Sequence, residues 1–342
     1  MTDKKRVTRK EVAERAGVSV AVVSYVVNNG PRPVSPETQA KVQQAIDELG
    51  YYPNELARSL SRQRTATIGL IIPSLLNPVF AEIAESLESA CASEGYLVIL
   101  GGTGRDLRKE VEFAKLLRAK QIDGVVVLPN ESPQAIIEPL QQASIPVVVL
   151  EHDLPNTHCI TMDELQGARL AMQHLLSLGH RRIGMIKRQP SSALSNLRFV
   201  GYTDNLIEAG IPYDPALVIE SKAGHAAGYT SMRQLLALPN PPTAVFTHND
   251  MLAMGAIRAI HDAGLTVPGD ISVVGYDDTS NAAYLNPRLT TVKSPVAELG
   301  QRASQIIMEL AQHAGNLPAQ TIILPVELIV RASTAPPPEN LK

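Results

Sequence analysis

From Thr67 onward the chain alternates apolar runs of about five residues with amphipathic stretches, and this rhythm restricts the possible folds more than any other feature. The runs cover 68–72, 96–100, 124–128, 146–150, 182–186, 243–247 and 271–275. Between and after them, helical spacing covers about 79–94, 107–120, 133–143, 163–178, 193–209, 225–237, 250–263 and 296–313. Apolar runs that are continuous rather than alternating belong to strands covered on both faces, which means parallel sheets crossed over by helices. Such units could form one large sheet, a barrel or two doubly wound lobes. Breaks at 155–161 and 284–295 favour two lobes joined by crossovers, with the helix at about 296–313 returning to the first lobe and a third crossing near 318–325. A small ligand would then sit in the cleft facing the carboxyl ends of the strands.

Ahead of this body, residues 7–28 read as two short capped helices joined by a glycine turn, the local pattern of a helix-turn-helix. Thr8 caps the first helix, Glu11 reaches back to the cap, and Gly17 supplies the left-handed stop. Ser19 opens the second helix. Val12, Ala13, Ala16, Val18, Val23 and Val26 have the spacing to press the two helices together. A third helix starts at Ser35 and Pro36, buries Val42, Ala45, Ile46 and Leu49, and stops at Gly50. Asn54 to Leu60 then suits a helix of barely two turns, too short to hold alone in water, and so a hinge that folds on binding.

Charge divides the chain at the same place. Residues 1–64 carry 11 Lys and Arg against 7 Asp and Glu, whereas the remainder carries 20 against 27. Local positive charge is what phosphate binding requires, and the overall net of −3 conceals it. No apolar run approaches the roughly 20 residues of a membrane span, no secretory leader follows the start, and the reading is a cytoplasmic protein. Cys91 and Cys159 are the only cysteines, with no metal or redox spacing, and read as ordinary buried thiols.

The motifs V-A-x-x-A-G-V-S-x-x-x-V-S-x-V-V-N at 12–28, L-G-Y-x-P-N-x-x-A-x-x-L at 49–60, H-L-L-x-L-G-H-R-R-I-G at 174–184, P-T-A-V-F-x-x-N-D at 242–250 and D-I-S-V-V-G-Y-D-D at 270–278 occur in order along the chain. Together they resemble the lactose-repressor/galactose-repressor family of bacterial transcription regulators over almost the full length. The resemblance implies an α/β protein in which a helix-turn-helix domain (1–52) and a hinge helix with linker (53–65) precede a two-lobed effector-binding and dimerisation body (66–334). Lobe 1 would comprise about 66–160 and 294–320, lobe 2 about 161–290 and 322–334, with a tail at 335–342.

By the same resemblance the protein would be a homodimeric repressor of double-stranded operator DNA, controlled by a small polar effector, a sugar or sugar derivative. It would need no cofactor or metal, and would not be an enzyme. DNA contacts would come from Thr8, Ser19, Val20, Ala21, Ser24, Tyr25 and Asn28, and from Asn54, Leu56, Ala57 and Leu60 of the hinge, with Leu60 as the minor-groove wedge. Many members place Arg where this chain has Tyr25. Val20 and Ala21 cannot make bidentate hydrogen bonds, so their readout would lean on thymine methyls and fit.

Effector contacts would come from Arg198, Asn249 and Asp277, with Ser74, Asn77, Phe80, Glu151, His152 and Ser192 as further candidates. Each has a plainer account: Asp277 could cap the following turn, Asn249 could merely start a helix, and Arg198 could be a surface arginine. G-G-T-G at 101–104 lacks the dinucleotide spacing, and His152, Asp153, His158 and Cys159 fit no metal template. Two other classes share the body. A secreted solute-binding protein would need a leader and no basic helix-turn-helix, and an α/β enzyme on sugars or nucleotides would be indifferent to DNA.

Overall fold

The computed structural model describes residues 7–28, 30, 32–52, 64–130, 132–189, 196–312 and 317–339. The chain divides into two compact units, Met1–Thr65 and Ala66–Lys342. In the first, α1 (Arg9–Ala16), α2 (Val20–Asn28) and α3 (Pro36–Leu49) enclose a small core of Val12, Ala13, Val23, Val42, Ala45 and Tyr51. The caps follow from the residue types. Thr8 and Glu11 form a reciprocal capping box, and Gly17 (φ 66°) and Gly50 (φ 62°) take the left-handed conformation that ends α1 and α3. Ser19 Oγ accepts the Val22 amide at 3.3 Å, and Ser35 Oγ accepts the Thr38 amide at 3.3 Å. The expected hinge helix at Asn54–Leu60 lies outside the described residues.

The second unit is α/β with two six-stranded sheets. Its elements run β1 (Thr67–Ile72), α4 (Pro78–Ser93), β2 (Leu97–Gly102), α5 (Leu107–Ala119), β3 (Gly124–Val127), α6 (Pro133–Gln141), β4 (Val147–Leu150) and β5 (His158–Met162) in lobe 1. Lobe 2 follows with α7 (Glu164–Ser177), β6 (Ile183–Arg188), α8 (Leu197–Glu208), β7 (Val218–Ser221), α9 (His225–Leu236), β8 (Ala244–Thr247), α10 (Asp250–Asp262), β9 (Ser272–Asp277) and β10 (Thr290–Lys293). The chain returns through α11 (Val296–Gln312) and β11 (Thr321–Leu324) to lobe 1, then ends on β12 (Glu327–Ile329) in lobe 2. Strand orders are β11-β5-β4-β3-β1-β2 and β12-β10-β9-β8-β6-β7, parallel except for the β10–β12 pair.

Continuous hydrophobicity in the strands has the expected cause. On β1, Ile68, Leu70 and Ile72 face α4 and α11, while Ile71 faces the α5 and α6 side. In lobe 2, Val245 and Val273 pack toward α9 and α10, and Phe246 and Val274 toward α7 and α8. Fully burying each such side chain contributes roughly 1.5–3 kcal/mol, so the covered sheets account for most of the driving force.

Several boundaries differ from the sequence reading. β5 and β10 occupy segments read as crossovers, so the chain leaves lobe 1 after Met162, and β10 extends lobe 2 to Lys293. β11 belongs to the lobe 1 sheet although that lobe was expected to end near 320, and the third crossing is the short link at 325–326. β7, β11 and β12 had no apolar run to announce them, because edge strands such as T-I-I-L and E-L-I carry exposed positions.

The segment from 335 is no free tail. Ala335 N donates to Ser272 Oγ and Ala335 O accepts from it, both at 3.0 Å, and Pro337 is buried. Buried His180 sets Nε2 2.9 Å from the Ala335 carbonyl, an atom that only accepts, so that nitrogen carries the proton.

Lobe 2 also depends on a close helix crossing. A Cβ on Gly255 of α10 would lie 2.0 Å from the His225 carbonyl oxygen, and one on Gly228 of α9 would lie 2.2 Å from that of Leu252. Backbone cannot yield as a side-chain tip does. Gly255→Ala should therefore cost roughly 1–3 kcal/mol of stability, seen as a lower guanidinium chloride midpoint.

Candidate functional site

In the N-terminal unit, α2 presents Val20 (45 % exposed) and Ala21 to solvent. Its polar groups are partly engaged within the helix, since Asn28 Nδ2 donates to Ser24 Oγ at 3.1 Å. Tyr25 is half-buried against the turn that follows. A Cβ on Gly30 would stand 2.5 Å from the Tyr25 ring, so the absence of a side chain there admits the ring. Thr8 and Ser19 spend their hydroxyl oxygens on helix caps, which does not stop their outer faces from meeting a phosphate. Asn54, Leu56, Ala57 and Leu60 lie outside the described residues.

In the second unit, the carboxyl ends of the two sheets face each other around a cavity enclosing about 670 Å³ of empty space including its mouth. Lobe 1 contributes Asn77 and Phe80 from the start of α4, Arg105 after β2, Leu128 to Asn130 after β3, Glu151 and His152 after β4, and Thr161 from β5. Lobe 2 contributes Glu164, Arg188 at the end of β6, Arg198 from α8, His248 and Asn249 before α10, and Asp277 at the end of β9. Asn77, Phe80, Glu151, His152, Arg198, Asn249 and Asp277, chosen from sequence, thus line one cavity. Ser74 does not: its hydroxyl accepts the Leu76 amide at 3.1 Å in a local turn. Ser192 lies outside the described residues.

Arg198 is the most constrained side chain in the cleft. Nε donates to Glu164 Oε2 at 2.5 Å, Nη2 to Glu164 Oε1 at 2.9 Å, and Nη1 to the His248 carbonyl at 2.5 Å. Its guanidinium lies 3.5 Å from the centre of the Tyr276 ring, and Asp277 Oδ1 is 3.9 Å from Nη1. Burial opposes the charge on Arg198, but Glu164, Tyr276 and Asp277 together offset it and hold the guanidinium protonated. The surface-arginine account fails for this residue.

Neighbouring groups feel the same crowding. Burial, then the like charge of Arg105, pushes Arg188 down to about 10. Burial and the three arginines keep His248 neutral. Burial pushes Glu151 and Asp277 up, aided in both by other carboxylates. Both residues also take a left-handed backbone, φ 55° and 106°, an uncommon conformation for a side chain other than glycine.

Asn249 plays two parts. Its Oδ1 caps α10 by accepting the Leu252 amide at 3.1 Å, as the plainer account held, yet the residue also lines the cavity. Asp250 beside it is structural, accepting from Thr291 Oγ1 at 2.6 Å and from the Thr279 amide at 2.7 Å. Sequence reasoning missed Arg105, Asn130, Thr161, Glu164 and Arg188 as lining residues, while His248 was read as a helix-end or cleft residue. Arg105 and Arg188 lie at or after strand ends and were open to the strand-end rule. Glu164 gave no such signal, because the strand before it was not recognised. Among the described residues no group of three or more His, Cys, Asp and Glu side chains could hold a metal ion, and no helix is long and apolar enough to cross a membrane.

Comparison with known proteins bears on both units. Residues 8–54 match the family described as bacterial regulatory proteins, lacI family, and residues 172–334 match the periplasmic binding protein-like domain. The HTH-type transcriptional repressor PurR of Erwinia tasmaniensis is 38 % identical over 335 residues, covering 97 % of this chain and 98 % of PurR. The lac repressor dimer bound to operator and the anti-inducer ONPF superposes with a TM-score of 0.87 at 32 % identity, covering 97 % of this chain and all of that one. A complex of the transcriptional regulator CelR with cellobiose gives 0.73 at 30 % identity, covering 96 % of this chain and all of that one. The chain belongs to the lacI family of bacterial regulatory proteins and is a DNA-binding transcriptional regulator rather than an enzyme.

Proposed function

We propose that this regulator is a homodimeric repressor that binds a pseudopalindromic operator through α2 and the hinge. It releases the operator when a small polar effector, a sugar or sugar derivative, enters the cleft. The observation that carries the reading is the convergence of Arg198, Asn249 and Asp277 at the facing carboxyl ends of two parallel sheets. Few aromatic rings line the cavity, so recognition rests on hydrogen bonds, as a hydroxyl-rich ligand requires. The lac repressor and CelR structures, with operator and cellobiose, support both halves of the reading. With DNA as its target, the regulator acts in the cytoplasm. Effector binding would act by its differential affinity for two arrangements of the lobes.

Dimerisation has support at the edge of lobe 1. Among the described residues β2 pairs only with β1, and its Leu97 is 65 % exposed. Leu100 is exposed on the same strand, and Leu75 packs over Gly102 next to Leu76, which is 85 % exposed. Exposed apolar side chains along an edge strand fit a second copy of the chain. Leu97→Asp, which disturbs no core contact, should shift the protein toward monomer in sedimentation velocity and weaken operator binding with it. A stable dimer for this variant would place the interface elsewhere.

Operator affinity, measured on a duplex selected from a random-sequence library, should fall steeply as salt rises, because each neutralised phosphate releases counterions. A flat salt dependence would argue against groove binding.

Asp277→Ala should abolish the effector response while leaving operator affinity near that of the parent. Calorimetric binding of the effector as tight as the parent's would overturn the cleft assignment. Arg198→Ala is a poorer probe. It strands Glu164 in the interior and should cost about 3–5 kcal/mol of stability whatever its effect on ligand.

A further inference from the structure

A guanidinium grips a carboxylate or phosphate most firmly with two parallel N–H donors along one edge. On Arg198 such an edge, Nε with Nη2, is already filled by both oxygens of Glu164. Nη1 has one proton on the His248 carbonyl and lies beside Asp277. What the arginine can still offer a ligand is one N–H on Nη1 and one on Nη2, the side-on edge with Nε being taken.

The charges around the cavity close the same door. Arg105, Arg188 and Arg198 are matched by Glu151, Glu164 and Asp277. An oxyanion seeking the Arg198 edge would have to expel Glu164 and leave a buried carboxylate without its partner.

We propose that Glu164 is a specificity-determining residue. By occupying the edge of Arg198 it makes the cleft accept an uncharged, hydroxyl-bearing effector and reject the carboxylate- or phosphate-bearing counterpart. Glu164 does so by setting what Arg198 can offer. The inference rests on the reading of the cleft as the effector site, and its test separates the two.

The first arm uses inorganic sulfate as probe with the full chain at constant ionic strength. Glu164→Gln frees part of the edge and should bind sulfate at least about tenfold more tightly than the parent, by calorimetry and by thermal shift. The gain should vanish in the double variant Glu164→Gln, Arg198→Met, which excludes sulfate held elsewhere, including on the DNA-binding unit. Equal sulfate affinity in parent and Glu164→Gln would overturn the proposal.

The second arm uses the parent protein alone, and so stands even if the variant does not fold. A panel pairs neutral sugars with their phosphate and sugar-acid counterparts. Binding should be confined to neutral members, and in Glu164→Gln the preference for neutral over acidic members should shrink. An acidic member that binds the parent more tightly than its neutral partner would overturn the proposal. If no member of the panel binds, the sugar reading of the effector fails, while the sulfate arm still decides the role of Glu164.

Discussion

A charged guanidinium withdrawn from water must be paired, and the way Arg198 is paired organises the whole cleft. Glu164 at the start of α7, the His248 carbonyl before α10, and Tyr276 and Asp277 of β9 all converge on this one side chain. Every one of these partners belongs to lobe 2. That half of the site is therefore assembled before any ligand arrives, with side chains held by mutual bonds. Lobe 1 supplies the opposing wall, including Phe80, Arg105 and Glu151, from loops at the ends of its own strands. A ligand that bonds to both walls favours one separation of the lobes over another, and a two-lobed body can act as a switch for that reason alone.

Much of the architecture was legible because its causes are local or periodic. The capping box of Thr8 and Glu11, the glycine stops at Gly17 and Gly50, and the doubly covered core strands each leave a signature in a few adjacent residues. The strands that escaped notice are short, mixed or at sheet edges, where half of the positions face water and the apolar signal fades. β5 and β10 look like interruptions in sequence, yet sit inside their sheets because flanking strands and helices bury their threonines and histidine. The tail was misread because its anchoring depends on partners far away in sequence, Ser272 and His180.

The site shows the same division. Asn249 and Asp277 were accessible to reasoning from strand ends, and Arg198 through the motif around it. Glu164 was not accessible, because a glutamate at a helix start ordinarily has no task beyond the helix dipole. Only the path of the chain through the first crossover brings it against an arginine 34 residues further on. Ser74 shows the opposite error: a polar residue after a strand need not face the cleft, since a tight turn can take its hydroxyl first.

The path of the chain back through both lobes bears on how the protein is made. β11 completes the edge of the first sheet and β12 that of the second, and Ser333 to Ala335 then bonds along β9. Neither sheet can be finished until residues 321–335 have left the ribosome, whereas the core of the N-terminal unit needs only contacts between residues 12 and 51. During synthesis, then, a DNA-binding unit can be complete while the body that regulates it still has open edges. A nascent chain that stalls or is cut before β11 would keep the first and lose the second, leaving a reader of DNA cut off from its regulation.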